Sequence, residues 1–275
     1  MTQNDLFQSI QYKKSFLCVG LDSDINKIPA YMPKTPESVL NFNQKIIEAT
    51  LPSAIAYKPN LAFYEAMGAA GWEVLKETIE WIPNTHFKIA DAKRGDIGNT
   101  ADQYAKAFFE DLNFDAITLS PYMGIDSISP FLEYSNKWVI ILGLTSNTGS
   151  QDFQLTKTSD GKYFFEQVLE KASRWGNPDK VMFVIGATHP TYFEKVRKIV
   201  PEHFLLVPGI GTQGGDLSEV FKYGANQKVG LLINASRSIL YASNNENFAM
   251  EAGKQAAELQ NQMSKLLDDE IMLNI

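Results

Sequence analysis

Residues that build metal centres and disulfide frameworks are nearly absent from this sequence. Its 275 residues include one cysteine and three histidines. The cysteine, Cys18, lies in an apolar run, which excludes a disulfide framework and a cluster of thiolate metal ligands. His86, His189 and His203 do not have the spacing of metal ligands, so we expect no zinc site.

An excess of positive charge and a long apolar run are also lacking. The formal net charge is −7, which argues against general nucleic-acid binding because that function needs a basic surface. No apolar stretch reaches membrane-spanning length, and the first residues, Met-Thr-Gln-Asn-Asp, lack the segments of a signal peptide. We therefore expect a cytoplasmic protein that binds neither nucleic acid nor membranes. Any anionic ligand would need cations concentrated locally.

What the sequence does contain is a regular series of short apolar segments. Hydrophobic residues make up 44% of the chain, and 17 Phe are among them, which is enough for a large core. Near-continuous runs of Val, Ile, Leu and Phe are typical of parallel strands buried on both faces. Eight such segments occur, at 16–22, 54–60, 86–93, 115–121, 138–145, 181–188, 204–211 and 230–236.

Stretches with helical periodicity separate these segments. They lie at 39–50, 61–82, 101–112, 163–174 and 192–200, and a last one spans about 246–267. Thr35-Pro36 is typical of a helix start, with an N-cap followed by proline. Eight strand–helix units predict an α/β fold of the (β/α)8 TIM barrel type, with a doubly wound open sheet as the alternative. No linker divides the chain, so we expect one domain over 1–275, with an N-terminal extension over about 1–15.

Polar residues follow nearly every predicted strand. In a (β/α)8 barrel the carboxyl ends of the strands form the active-site face, so a series of polar strand ends indicates a site there. The residues concerned are Asp22, Lys58, Asp91, Lys93, Ser120, Thr145, Ser146, Thr188, the loop 208–215, Ser236 and Arg237.

The segment Asp91-Ala-Lys-Arg-Gly-Asp96 places two carboxylates around one ammonium at a strand end. Residues i and i+2 of a strand share a face, so Asp91 and Lys93 are expected to point the same way, with Asp96 in the loop after Gly95. Lys58, on the preceding strand, extends the set to alternating charges that keep one another ionised. A charged, aimed lysine suits an acid that protonates carbon. The plainer interpretation is a surface salt bridge, or a rim lysine at position 58.

The loop Pro208-Gly-Ile-Gly-Thr-Gln-Gly-Gly-Asp216 follows the seventh predicted strand, and Arg237 follows the eighth. Glycines let backbone N–H groups approach an anion, and phosphate sites are common in the last two loops of such barrels. We therefore predict a phosphate site here. Asp22 could accept hydrogen bonds from sugar hydroxyls or only cap a turn. Ser146 opens an irregular stretch to about residue 162, which we interpret as a lid.

Together these residues resemble the orotidine 5′-phosphate decarboxylase family. The resemblance rests on Asp91-x-Lys93-x-x-Asp96-Ile97, Lys58, and the Pro-Gly-Ile-Gly-Thr-Gln-Gly-Gly loop, and it runs from about Cys18 to Tyr241. The segments around Tyr57, Ser120, Thr145 and Ser236 are similar to its longer bacterial branch, the type 2 branch. Position 189 departs from it, because His189 stands where that branch is expected to carry tyrosine.

The resemblance implies a homodimer with shared active sites that converts orotidine 5′-monophosphate to UMP without metal or organic cofactor. It makes Lys93 the acid for C6, with Asp91 beside the departing carboxylate and Lys58 bridging to the ribose. It makes Asp96 a further catalytic residue, which enters the neighbouring subunit's site with Ile97 and Thr100, lies beside Lys93 there and touches the ribose. It assigns binding roles to the remaining positions: Asp22 at a ribose hydroxyl, Ser146 at the pyrimidine, Gln213 between phosphate and base, and Pro208, Ser236 and Arg237 around the phosphate.

Two other functions remain compatible with parts of the pattern. A Mg²⁺-dependent decarboxylase or aldolase acting on sugar phosphates resembles the Asp-x-Lys-x-x-Asp segment, but it is expected to carry an acidic metal ligand where Lys58 stands. A catalytically silent phosphate-binding barrel would explain the glycine loop alone. It would not need Lys93 between two acids.

Overall fold

The eight predicted strands are confirmed in the computed structural model, which describes residues 1–188, 190–210 and 214–273. The strand order is β1-β2-β3-β4-β5-β6-β7-β8, and the sheet closes as a barrel. The strand pairs β1/β2, β2/β3, β4/β5, β5/β6 and β6/β7 are parallel, where the strands are β1 (Leu17–Leu21), β2 (Ala54–Pro59), β3 (Phe87–Arg94), β4 (Ala116–Leu119), β5 (Trp138–Leu144), β6 (Val181–Ile185), β7 (Leu205–Pro208) and β8 (Leu231–Ala235). The (β/α)8 fold class is therefore confirmed, and the open sheet is not formed.

Helices occupy the connections between strands and both flanks of the described chain. They are α1 (Gln3–Lys13), α2 (Pro36–Thr50), α3 (Leu61–Glu65), α4 (Ala69–Trp81), α5 (Gly98–Lys106), α6 (Ser129–Leu132), α7 (Ser150–Phe153), α8 (Phe164–Ala172), α9 (Phe193–Ile199), α10 (Leu217–Gly224), α11 (Arg237–Leu240) and α12 (Phe248–Leu273). Within the described residues, no helix has both the length and the apolar character needed to cross a lipid bilayer.

The chain forms two compact units. One consists of Met1–Phe7 and Lys93–Ile233, and the other of Gln8–Ala92 and Asn234–Ile275. The first holds β4 to β7, and the second holds β1, β2 and the long helix α12. The expectation of one domain over residues 1–275 stays a prediction.

Local chemistry explains where several elements begin. Thr35 caps α2 as predicted, because its side chain accepts a hydrogen bond from the Ser38 N–H and Pro36 needs no partner at the first turn. The predicted helix 61–82 is instead two helices, since Gly68 between them has a φ of +66°. The predicted extension at the N-terminus contains α1, and the predicted helix 101–112 starts earlier, at Gly98, and ends in a π-helical turn, Ala107–Asp111.

Each of the two units contains one buried histidine, and both histidines are neutral at pH 7. The Lys13 ammonium is 2.8 Å from His86 Nε2 and also donates to the backbone carbonyls of Leu51 and Ala54. Burial, with the nearby charge of Lys13, lowers the pKa of His86 to about 4. Burial, with the charge of Arg197, lowers the pKa of His203 to about 4 as well. Neither ring nitrogen of His203 has a hydrogen-bond partner among the described residues.

We expect these histidines to make the protein acid-sensitive. A folded-state pKa of about 4 lies below the unfolded value, so the unfolded chain binds more protons and stability falls as pH drops from about 6.5 towards 4. After allowance for solvent screening, each histidine should contribute on the order of 2 kcal/mol to that loss.

Urea denaturation between pH 8 and 4 measures this effect. His203→Phe, whose ring can still pack on Phe183, should keep the stability of the wild type at pH 8 and lose less of it at pH 4.5. Equal losses in the two proteins at pH 4.5 would contradict the assignment, because carboxylate titration is common to both.

Candidate active site

The predicted pairing of Lys58 with Asp91 is present as a buried ion pair. Lys58 lies near the carboxyl end of β2, and Asp91 lies in β3. The Lys58 ammonium donates to Asp91 Oδ2 at 2.6 Å, and the two side chains are only 6% and 10% exposed. A rim lysine with its ammonium in water would not be buried in this way. The plainer interpretation of position 58 is therefore wrong.

A carboxylate on β3 and another just after β1 keep this lysine charged. Burial by itself lowers the pKa of Lys58, but the charges of Asp91 and Asp22 and the hydrogen bond to Asp91 outweigh it, so the pKa is raised above its ordinary value. Cys18 lies in the same surroundings, and burial raises the pKa of its thiol to about 12. The thiol is therefore not a nucleophile at neutral pH, whereas Lys58 remains a cation.

Buried polar side chains hold the Asp22–Asp24 segment that follows β1. Ser23 Oγ donates to Asn43 Oδ1 at 2.5 Å, and the Asn43 amide donates to the hydroxyls of Tyr64 and Thr78. The Tyr64 hydroxyl donates to the Leu21 carbonyl at 3.1 Å. Asp22 Oδ1 is buried and has no hydrogen-bond partner among the described residues. A buried, unsatisfied carboxylate oxygen is an acceptor awaiting a donor.

The end of β8 approaches β1 closely. The Asn234 amide donates to Ser236 Oγ at 3.3 Å, and the Cys18 thiol lies 3.7 Å from Asn234 Oδ1. A Cβ at Gly20 would collide with Ser236 Oγ, so a larger residue there would displace the Ser236 side chain. Arg237 is exposed at the first position of α11, a helix of four residues.

Lys93 has an unusual backbone conformation in β3. Its φ is +48°, a left-handed value that is uncommon for a residue other than glycine and costs about 1 kcal/mol or more. The Lys93 N–H donates to the hydroxyl of Thr118 in β4 at 2.9 Å, which holds this conformation. The residue is exposed. Because its backbone is not regular strand, the expectation that Lys93 and Asp91 share a face through simple alternation stays a prediction.

The residues after β3 are presented at the surface of their unit. Asp96 lies in the loop, as predicted, and its Oδ1 accepts from the Ile97 N–H at 2.8 Å. Ile97 is 52% exposed, and Thr100 is exposed in the first turns of α5. An exposed isoleucine beside an acid is available for contact with another molecule.

Ser146 lies where β5 and β6 end. Any side chain at Gly186 would come within 2.7 Å of the Ser146 backbone, and the Thr188 hydroxyl lies 3.5 Å from the Ser146 carbonyl. The stretch that follows was predicted to be irregular, but it contains α7. Gln154 links this stretch to the residue that precedes it, since Gln154 Oε1 accepts a hydrogen bond from the Thr145 N–H at 2.7 Å.

The glycine loop begins at Pro208, the last residue of β7. Gly209 and Gly214 have φ values of +100° and +84°, and the Gly215 N–H donates to the Gly209 carbonyl at 3.1 Å. Gly215 also packs so closely on Ala187 that a Cβ would lie 2.5 Å from that side chain. Two predicted residues, Gln213 and His189, lie outside the described residues.

Sequence patterns missed three residues of this region: Thr118, Asn234 and Tyr241. Thr118 and Asn234 precede the strand ends within their strands, so alternation of inward-facing residues could have identified them. Tyr241 lies beyond α11, and no local pattern indicated its hydrogen bonds to the chain after β1. Within the described parts of the chain, His, Cys, Asp and Glu side chains form no group of three or more suited to a metal ion.

Comparison with known proteins yields consistent matches. The family model described as "Orotidine 5'-phosphate decarboxylase / HUMPS family" matches residues 15–252. The orotidine 5′-phosphate decarboxylase of Phocaeicola vulgatus is 56% identical over 270 residues, which cover 97% of this chain and 99% of that protein. That of Bacteroides fragilis is 54% identical over 270 residues, covering 97% and 98%. The structure of Leishmania donovani OMP decarboxylase is 40% identical, with a TM-score of 0.80, and covers 94% of this chain and 99% of that one.

Proposed function

This chain belongs to the orotidine 5′-phosphate decarboxylase / HUMPS family, and from that premise we propose that it is a carboxy-lyase converting orotidine 5′-monophosphate to UMP and CO2 in pyrimidine biosynthesis. The observation that carries the proposal is the identity of 56% to a decarboxylase over nearly the whole chain. It is joined with the buried ion pair of Lys58 and Asp91, of which Asp91 lies two residues before Lys93. The proposed substrate is a nucleotide.

The reaction places a particular demand on the protein. When the bond between C6 and the carboxylate breaks, the electron pair stays on C6, where no adjacent carbonyl can accept it. Most decarboxylases meet this demand with a cofactor that accepts electrons. We propose that here Lys93 meets it: its ammonium stabilises the developing charge and then transfers a proton to C6, while CO2 leaves.

The ion pair of Lys58 and Asp91 is proposed to organise the reacting end of the substrate. Asp91, in contact with Lys58 at 2.6 Å, would lie beside the substrate carboxylate and disfavour the ground state. Lys58 would bridge to the ribose. The unsatisfied Oδ1 of Asp22 would accept a hydrogen bond from a ribose hydroxyl.

Phosphate and base are assigned to the remaining strand ends. We propose that the Arg237 guanidinium, with Ser236 and the backbone that begins at Pro208, binds the phosphate, because arginine matches phosphate geometry with two hydrogen bonds. Ser146 would bind the pyrimidine edge, and Gln213 would reach both phosphate and base. Phosphate binding could drive closure of the loops 147–162 and 209–216, so that binding energy remote from C6 lowers the barrier.

We further propose a homodimer in which Asp96, Ile97 and Thr100 enter the site of the neighbouring subunit. The exposure of Ile97, at 52%, agrees with this proposal, because the side chain is accessible to a second copy. The one cysteine is buried and free, in keeping with a reducing cytoplasmic compartment.

A spectrophotometric assay on orotidine 5′-monophosphate, with and without EDTA, tests the proposed function. We expect turnover that EDTA leaves unchanged, because a cationic Lys58 stands where a metal-dependent enzyme would carry an acidic ligand, and it repels Mg²⁺. Turnover of a sugar phosphate that stops with EDTA would instead identify the metal-dependent branch of the family. UMP binding without any absorbance change would identify a silent phosphate-binding barrel.

A further inference from the structure

The chain after β1 is tied to the chain after β8 by one hydroxyl group. The Tyr241 hydroxyl donates to the carbonyl of Asp22 at 2.9 Å and accepts from the Asp24 N–H at 2.9 Å. These two hydrogen bonds hold the backbone on both sides of Ser23. The hydroxyl therefore fixes the short segment that carries the Asp22 carboxylate.

Tyr241 is itself rigidly placed. It follows α11 directly, and its N–H donates to the Arg237 carbonyl at 3.2 Å. Its ring stacks on Phe42 with centroids 6.4 Å apart, and Phe42 stacks on Phe248 of α12 at 5.0 Å. Aromatic packing of this kind leaves a side chain little rotational freedom. The helix that starts with Arg237 and the segment that carries Asp22 are thus joined through one immobilised side chain.

The Asp22 carboxylate, whose backbone Tyr241 binds, has one oxygen without a hydrogen bond. Asp22 Oδ1 is buried without a hydrogen-bond partner, although the residues around it, Ser23 and Tyr64, are fully bonded into the network below β1. A buried carboxylate oxygen without a partner costs free energy, and a ligand that brings a hydrogen-bond donor would remove that cost. Its alignment then depends on whatever holds the Asp22 backbone.

We propose that Tyr241 is a positioning residue for nucleotide binding. Its hydroxyl aligns the Asp22 carboxylate with the helix that starts at Arg237, so that a hydroxyl group and the phosphate group of one ligand are bound at the same time. The inference rests on the proposed function and assigns Tyr241 a part in it. Burial raises the pKa of the Tyr241 hydroxyl to about 12, so this hydroxyl remains a donor to the Asp22 carbonyl throughout the working pH range.

Steady-state kinetics on orotidine 5′-monophosphate test the proposal with four proteins: the wild type, Tyr241→Phe, Asp22→Asn and the double variant. Tyr241→Phe should raise KM about tenfold, the effect of losing a buried hydrogen-bonding group, and change kcat much less. If Tyr241 acts through Asp22, the double variant should have the KM of Asp22→Asn alone, because residues that act as one unit are not additive.

Tyr57→Phe is the matched control for stability. The Tyr57 hydroxyl is also buried and makes two hydrogen bonds, to Thr50 Oγ1 at 2.9 Å and the Ile47 carbonyl at 3.1 Å. This variant should be destabilised to a similar degree in urea while keeping the KM of the wild type.

The outcomes separate this inference from the proposed function. A wild-type protein that leaves orotidine 5′-monophosphate unchanged overturns the proposed function, and the inference with it. An active wild type overturns only the inference in three cases: KM is unaltered in Tyr241→Phe, the two substitutions multiply in the double variant, or Tyr57→Phe raises KM equally.

Discussion

Replacing Lys93 with alanine is expected to lower kcat for orotidine 5′-monophosphate by on the order of 10⁵-fold, since the variant loses the ammonium that we propose both stabilises the carbanion and donates the proton. The backbone should survive the change. Alanine keeps the N–H that donates to Thr118, and the Lys93 side chain is exposed, so little packing is lost. Single-turnover absorbance measurements give the rate, and calorimetry gives UMP binding, which should remain measurable.

Lys265→Ala is the control for this experiment. Lys265 is an exposed lysine on α12, so its replacement removes the same charge from the protein without touching β3, and kcat should not change. Turnover like that of the wild type in Lys93→Ala would refute the role of Lys93 as the acid. Loss of UMP binding as well would place Lys93 in binding rather than in proton transfer.

Mixing two inactive variants extends the same prediction to the proposed homodimer. Lys93→Ala and Asp96→Ala should each be nearly inactive, but a dimer with one subunit of each kind has one site with both residues intact. Random reassortment should restore about a quarter of wild-type activity if the sites are shared between subunits. Mixtures that stay as inactive as the separate variants would show that each site uses its own Asp96.

Lys58→Met should have the second-largest effect, because it breaks a buried ion pair and removes the ammonium that lies 2.6 Å from Asp91 Oδ2. Removing one partner of such a pair typically destabilises a protein by about 3–5 kcal/mol, and the Lys58 and Asp91 side chains are only 6% and 10% exposed. We expect a matching fall in the free energy of unfolding, measured by urea denaturation at pH 7. Decarboxylation should also be lost, since the ion pair that we propose to organise the reacting end of the substrate would be broken.

The double variant Lys58→Met with Asp91→Leu separates stability from activity. It removes both charges, so it should recover more than half of the lost stability while remaining inactive. Lys254→Met breaks a pair of nearly equal length, 2.7 Å, on the surface, and it should alter neither quantity appreciably. A double variant as unstable as Lys58→Met would mean that Asp91 is needed for folding for reasons other than its partner.

Much of this organisation can be predicted because it is local. The apolar runs predict all eight strands, and each observed strand lies within a few residues of the predicted segment. The pairing of Lys58 with Asp91 also follows from the sequence, since both lie in the carboxyl-terminal halves of successive strands and β2 pairs with β3 in parallel. Helix breaks were harder to predict: Gly68 and the π-helical turn after α5 interrupt patterns that read as continuous.

By itself, the sequence determined the alternation of strands and helices and the kind of polar residue at each strand end. Hydrophobic periodicity and charge alternation act over a few residues, so they can be seen without the fold. Only the tertiary structure decided how those residues are held. The left-handed backbone of Lys93 depends on a hydroxyl 25 positions away, and the Asp22 carbonyl is bound by Tyr241 across 219 positions. Hydrogen bonds between such distant groups exist only in the folded barrel, because strand pairing brings Lys93 to Thr118 and closure of the sheet brings Asp22 to Tyr241.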